Sequence, residues 1–390
     1  MTAVRTRQST TFQQLRVEQA LILRSKGGIM DAVKEDKADK KTSHRFEYGT
    51  GVVPAECIYE LSKDEQETIR TVVAGLPSPT ISSIDSNDFF TQVALASDDL
   101  PRGIRKRLTE FLYHSNEFGT LLFRGLPETQ TLPLTPSDGR AFSDKLLSIT
   151  EYNLLLLMVR LGDPRGYIDE KIGAIIQNIY PVPGAEYRQE NTSSLEFLEL
   201  HTEDGFLGDR CDFLALSCLR SDHERVAKTG TASVQRAMKL VSGTVVEWLR
   251  KPLYRISVPS SFMSEQDLWS RPMPIISGDF YSPEMCIDLD AMEGMTALAQ
   301  KALNSFATAL KASLVSCALV PGDLLIIDNL VAAHARSVFR ARYDGQDRWL
   351  QRLKVVINAR ASQKYRQAGS RVCESVGFEL FTDDLLSIKL

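Results

Sequence analysis

The chain has 390 residues, 43% of them hydrophobic and 25% charged, enough to bury a substantial core as one large domain or two smaller ones. A formal charge of −4 supplies no overall pull toward nucleic acid or an anionic membrane surface. The longest clean apolar run, LLLLMV from Leu154 to Val159, is far short of the roughly 20 residues that cross a bilayer. Nucleic-acid and membrane partners are therefore not expected. Six scattered cysteines without a CxxC pair read as reduced thiols of a cytoplasmic protein.

The N-terminus is basic and lacks the continuous apolar core of a secretory signal. Residues 1–45 end in DAVKEDKADKKTSH, too poor in apolar side chains to offset the entropy of ordering, and are expected to form a mobile charged arm. From residue 46 to 390 a single domain is expected, helical to about 172 and strand-rich over about 173–360. SKDEQETIRTVVAGL and SNDFFTQVALASDDLPRGIRKRLTEFLYHSNE carry apolar residues at three- to four-residue spacing behind Ser or Asp caps. GTLLFRGLP reads as a strand, and TPSDGRAFSDKLLSITEYNLLLLMVRLGD as a further helical region. Beyond Gly173 come the short strand-like runs AIIQNIYPV, LEFLELHTE, CDFLALSCLRS, YRISVPS, MPIISGD, EMCIDLD, DLLIIDN and RLKVVINAR. Helical stretches interrupt them at SVQRAMKLVSGTVVEWL and MEGMTALAQKALNSFATALKASL. Antiparallel-looking strands with loops between them suggest a barrel or double-sheet jelly roll flanked by helices.

The informative motif is LELHTEDGF. On a strand, His201 and Glu203 would point to the same face about 6.6 Å apart and could share one metal ion. A third ligand is available at His334, after the turn and buried strand of PGDLLIIDN. Two histidines and one carboxylate with open positions form the set used by non-heme Fe(II) oxygenases. Taken alone, H-x-E is a common accident, and its residues more often make ordinary hydrogen bonds. The downstream arginines strengthen the metal reading. Arg348 lies fourteen residues beyond His334 and Arg352 four further, an even spacing that puts both on one strand face. A planar guanidinium suits the distal carboxylate of 2-oxoglutarate, the alternative being pairing with surface acids such as Asp344 and Asp347.

LELHTEDGFLGDRCDFLALSCLRSD, together with PGDLLIIDN, HARSVF, YDGQDRWLQR and the spacing between them, resembles the clavaminate synthase-like branch of the Fe(II)/2-oxoglutarate-dependent oxygenases. Within it, the nearest likeness is to hydroxylases of free arginine and lysine, over roughly Gln177 to Arg352. The resemblance implies an α+β fold with a double-stranded β-helix (jelly-roll) core and flanking helices. It also implies His201, Glu203 and His334 as iron ligands, with Fe(II), 2-oxoglutarate and O2 as cofactor and co-substrates. Arg348 would hold the 2-oxoglutarate carboxylate with Thr229, for which Thr231 is a near-equal candidate. Arg352 would hold the substrate α-carboxylate, with Gln177 near the head group.

In MCIDLDAM, Asp288 and Asp290 at i and i+2 would share a strand face, an arrangement that a guanidinium or ammonium group relieves. The resemblance assigns such a pair to a basic side chain. The alternative is a solvated pair at a strand end. The favoured substrate is a free basic L-amino acid, arginine or lysine, hydroxylated at an unactivated carbon with release of succinate and CO2. Asparagine, glutamine, citrulline or a carrier-tethered aminoacyl group are the alternatives, and an inert binding protein of the same fold is the remaining one. A carboxylate at Glu203 leaves no halide position, which argues against halogenation. His114 and His223 receive no role, VPSSFMSEQDLWSRP is the candidate lid, and no oligomeric state is assigned.

Overall fold

The computed structural model describes residues 51–138, 145–259, 268–373 and 381–382, all within a unit that spans 44–390. The arm expected over 1–45 lies outside the described residues, as do 260–267 of the candidate lid.

The helices of the first part begin where their caps allow. Helix α1 (Lys63–Ala74) opens with a capping box: Glu65 N donates to Ser62 Oγ at 3.3 Å, and Ser62 N donates to Glu65 Oε2 at 2.9 Å. The long stretch after it is two helices, α2 (Asn87–Ala96) and α3 (Arg102–His114). Pro101, which has no N–H to continue a helix, stands immediately before the second. In the next helical region the described residues contain α4 (Ile149–Met158), which is buried on every side. Its run of leucines shares one core with Phe89, Ile104 and Leu108 of the neighbouring helices and with Phe213, Leu353 and Val355 of a sheet.

In chain order the strands are β1 (Gly51–Val52), β2 (Ile58–Glu60), β3 (Thr120–Arg124), β4 (Asp163–Tyr167), β5 (Ile176–Ile179), β6 (Leu198–His201), β7 (Phe213–Arg220) and β8 (Lys228–Ser233). Then follow β9 (Tyr254–Ile256), β10 (Leu268–Trp269), β11 (Ile276–Gly278), β12 (Pro283–Met285), β13 (Met292–Gly294), β14 (Val315–Ala318), β15 (Leu324–Asp328), β16 (Ala332–Arg336), β17 (Trp349–Val356), β18 (Val372–Cys373) and β19 (Phe381–Thr382). The larger sheet runs β18-β4-β17-β7-β15-β3-β2, with β5 also pairing β17. The second runs β1-β14-β8-β16-β6. Val315 and Cys317 of the second sheet share a core with Leu214, Leu216, Leu325, Ile327 and Leu350 of the first. The architecture is thus mixed, with helices around two large sheets.

Three expectations are corrected here. The first part holds more strand than expected: besides β3, which is the strand read from GTLLFRGLP, β2 and β4 also belong to the larger sheet, where Leu122 of β3 pairs with Leu325 of β15. The stretch 233–249 divides into α5 (Val234–Met238) and α6 (Gly243–Leu249), because Ser233 and Ser242 each cap a new start. The last helix, α7 (Ala297–Ser313), begins after Thr296, and residues 292–294 upstream form β13 instead. Strand β8, KTGTAS, gives little apolar signal yet is paired on both sides, by β14 and β16. No helix among the described residues is long and apolar enough to cross a membrane. All six cysteines are free thiols.

Candidate active site

Antiparallel pairing of β16 with β6 puts His334 directly across from His201, their rings 4.3 Å apart between centroids. Strand β6 stops at His201, so Glu203 is not on the strand as the alternation argument supposed. It sits in the turn that follows, ahead of Asp204 with φ +53°. The turn still delivers it, because Asn329 pins its backbone from both sides. Glu203 N donates to Asn329 Oδ1 at 2.7 Å, and Asn329 Nδ2 donates to the carbonyls of Glu203 at 3.0 Å and Cys211 at 2.9 Å. Asn329 lies in DLLIIDN and is fully buried, but nothing in the sequence distinguishes its role from that of an ordinary turn residue.

One ligand atom from each of His201, Glu203 and His334 lies within 4.8 Å of the others. The donor chemistry fits a divalent metal. His201 Nδ1 lies 2.8 Å from the Glu199 carbonyl, which can only accept, so Nδ1 carries the proton and Nε2 keeps its lone pair. His334 Nε2 is 3.6 Å from Glu203 Oε2, and that carboxylate oxygen is buried with no hydrogen-bond partner. Burial, then the charges of His201 and Arg352, hold the His334 imidazole well below its ordinary value, in the neutral form a metal requires. A bound cation would satisfy the orphaned oxygen.

Behind the triad, β17 carries a row of cationic side chains on one face. Arg352 pairs across the ladder with Gln177 of β5, and its Nε donates to Gln177 Oε1 at 3.0 Å. Its Nη1 donates to Glu203 Oε1 at 2.7 Å, and its Nη2 meets Glu170 Oε1. Burial alone would lower the Arg352 guanidinium, but Glu170, Glu203 and Asp204 outweigh it and hold it above its ordinary value. Gln177 therefore lies behind Arg352, and Glu170, which the sequence reading did not single out, faces the cavity beside Arg352. The signal for Glu170 was invisible in sequence because its partners Arg352 and Lys354 lie more than 180 residues away.

Arg348 just precedes β17. Its Nη2 donates to Thr229 Oγ1 at 3.3 Å, and its guanidinium carbon lies 5.7 Å from the centre of the Phe339 ring. Among the described residues no carboxylate forms an ion pair with it, although it is buried, and burial lowers its affinity for the proton. Pairing with Asp344 or Asp347 does not occur; those two face His223 instead. Thr231, the near-equal candidate, accepts from Thr120 Oγ1 at 2.9 Å, so only Thr229 is hydrogen-bonded to Arg348.

Asp288 and Asp290 do not share a strand face. Strand β12 ends at Met285, and Asp288 forms a single bridge opposite His201 before the chain turns. Its Oδ1 accepts from Asp290 N at 3.0 Å and Ala291 N at 2.9 Å, a local turn that competes with extension of the strand. Both residues nevertheless line the same cavity of about 1030 Å3 as His201, Glu203 and Arg352. The carboxyl of Asp290 is raised by burial and by Asp288, Glu199 and Glu196. Glu190 and Glu199 add further carboxylates to this wall, where Lys171 and Arg352 are the lining cations. Val258 and Pro259, from the described edge of the candidate lid, also line it.

Two histidines and one carboxylate are the donor set with which Fe(II) oxygenases hold iron, and His201, Glu203 and His334 would hold it here. The chain is 34% identical over 313 residues to the L-asparagine oxygenase of Streptomyces coelicolor, across 80% of this chain and 93% of that protein. It is 32% identical to the L-lysine 3-hydroxylase of Catenulispora acidiphila (81% and 88% covered) and to clavaminate synthase 2 of Streptomyces clavuligerus (71% and 86%). The solved structure of asparagine oxygenase with Fe(II), 3-hydroxyasparagine and succinate superposes with a TM-score of 0.76 at 33% identity, over 82% of this chain and 99% of that one. The non-heme iron oxygenase OrfP with Fe and alpha-ketoglutaric acid gives 0.70 at 25% identity, over 81% and 99%. No family model matches. The chain belongs to the clavaminate synthase-like family of Fe(II)/2-oxoglutarate-dependent oxygenases, enzymes that hydroxylate amino acids with Fe(II), 2-oxoglutarate and O2.

Proposed function

We propose that this enzyme hydroxylates an unactivated carbon of a free basic L-amino acid, arginine or lysine, releasing succinate and CO2. The observation that carries the choice is the acidity of the cavity wall: Asp288, Asp290 and Glu190 line it together with Glu199, which is paired to Lys311, and the Asp290 carboxyl is raised by burial and by its acidic neighbours, a cost that a guanidinium or ammonium group relieves. In this reading His201, Glu203 and His334 hold Fe(II), which when bound supplies the oxidative chemistry. Arg348, supported by Thr229, takes the distal carboxylate of 2-oxoglutarate. Arg352, braced by Gln177, takes the substrate α-carboxylate, and Asp288 with Asp290 meets the basic side chain. The Oδ1 of Asp288 is committed to its own turn, so the clamp would use its other oxygen and Asp290. The two facing sheets fit a double-stranded β-helix core, within a single domain spanning 46–390. Closure of the cavity would exclude water from the reacting groups.

A second reading, hydroxylation of asparagine, is favoured by the 34% identity to an asparagine oxygenase. Succinate formation with Fe(II), 2-oxoglutarate, ascorbate and each free amino acid, with products weighed for one added oxygen, separates the two. Coupled turnover with arginine or lysine is expected. Coupled turnover with asparagine alone would replace the basic-substrate reading.

A further inference from the structure

Lys354 stands two residues beyond Arg352 on β17, on the same face, and is buried to within 1%. A lysine there must be matched, and it is. Its Nζ lies 2.8 Å from Asp204 Oδ2, contacts Glu170 Oε2, and lies 4.9 Å from the centre of the Tyr167 ring. Lys354 does not line the cavity, whereas Glu170, Asp204 and Arg352 do. Five charged groups thus meet at the cavity floor: Arg352 and Lys354 against Glu170, Glu203 and Asp204. With Glu203 engaged at a metal, two cations face two carboxylates.

We propose that Lys354 is a positioning residue: by sharing Glu170 with Arg352 and binding Asp204 from behind, it offsets the pull of these carboxylates and leaves the Arg352 guanidinium able to meet the amino-acid head group. The proposal rests on the reading that Arg352 receives the substrate α-carboxylate. The arrangement supports it in two ways. Asp204 immediately follows Glu203 and is itself buried; Lys354 is the cation paired with it, while Arg352 is paired with Glu203 one residue earlier. Glu170 accepts from Arg352, Lys354 and Gln177 together, so the orientation of Arg352 and the charge on Lys354 are read by one carboxylate. The backbone that carries Glu170 is held in a turn: Gly173 N donates to the Glu170 carbonyl at 3.0 Å, across Lys171 and Ile172, both with left-handed φ.

The test uses the full chain loaded with Fe(II) under anaerobic conditions, with binding of L-arginine, L-lysine and L-asparagine followed by calorimetry. Lys354→Met is expected to weaken amino-acid binding about tenfold to a hundredfold while changing 2-oxoglutarate affinity less than threefold. In turnover, the KM for the amino acid should carry the loss and that for 2-oxoglutarate should not. If Lys354→Met does not fold, the paired variant Lys354→Met with Asp204→Asn removes one charge of each sign from the floor. It should fold and keep the part of the selective loss that Glu170 accounts for. Full recovery of amino-acid affinity in that pair would overturn the proposal, since Lys354 would then only neutralise Asp204. Equal losses for amino acid and 2-oxoglutarate would also overturn it. Arg352→Ala runs alongside. If it weakens amino-acid binding and Lys354→Met does not, the Lys354 proposal fails and the Arg352 reading stands. If Arg352→Ala has no effect, the Arg352 reading fails, and the Lys354 proposal with it.

Discussion

Arg348 should cost this protein stability in return for function, and replacing it tests both sides at once. The side chain is buried, is hydrogen-bonded to Thr229 at 3.3 Å, and has no carboxylate partner among the described residues. In the Arg348→Met variant the flexible thioether occupies much of the same volume and removes a buried charge that lacks a counter-ion. Replacing even a paired buried charge by an apolar side chain of similar volume can stabilise by about 1–4 kcal/mol, so a gain of at least this order is expected where the charge has no counter-ion. Binding of 2-oxoglutarate moves the other way. Two charge-assisted hydrogen bonds from a bidentate guanidinium are lost, at about 1.5–3 kcal/mol each, so affinity should fall by about two to four orders of magnitude. Urea unfolding without 2-oxoglutarate and calorimetric titration of 2-oxoglutarate into the Fe(II) form read the two quantities separately. A variant that is less stable than wild type, with 2-oxoglutarate affinity within tenfold, would refute the assignment: Arg348 would then be structural.

Other consequences are equally open to measurement. His201→Ala or Glu203→Ala should abolish iron-dependent succinate formation, and retained activity would remove the metal assignment. Asn329→Ala leaves Glu203 N, Glu203 O and the Cys211 carbonyl without their buried partner, and should cost about 3–5 kcal/mol in urea unfolding and about 10- to 100-fold in Fe(II) affinity. Asp288→Asn with Asp290→Asn should weaken arginine or lysine binding far more than 2-oxoglutarate binding; equal losses would mark the pair as structural. Burial raises the Asp328 carboxyl to about 6. The folded state then holds this proton where the unfolded chain has released it, so the contribution of Asp328 to stability falls as pH rises from about 4 to about 6. Asp328→Asn should flatten the pH dependence of unfolding in that window, and an unchanged slope would refute the shift.

Local sequence carried a good deal of this structure. Ser62 with Glu65, Ser86, and the apolar spacing behind them announced helices, because a cap and its helix lie within one turn of each other. DLLIIDN and CDFLALSCLRS read as strands because a strand buried on both faces is continuously apolar. His201, His334, Arg348 and Arg352 stood out as a set in the sequence because they are the side-chain chemistries a metal site and a carboxylate anchor would need, at regular intervals, and the structure brings His201, His334 and Arg352 together around Glu203. KTGTAS gave almost no strand signal, since its place in the sheet comes from β14 and β16 on either side. The strand expected through Asp288 and Asp290 was undone by the Asp288 side chain bonding its own backbone, and the same strand logic failed at Glu203, which Asn329 holds in a turn instead. What only the tertiary structure decided was the company each charge keeps. Glu170, Asn329 and Lys354 look unremarkable in a linear chain, and they become part of the site because strands distant in sequence bring them into a dry interior. There a charge or a backbone amide must find its partner within the protein.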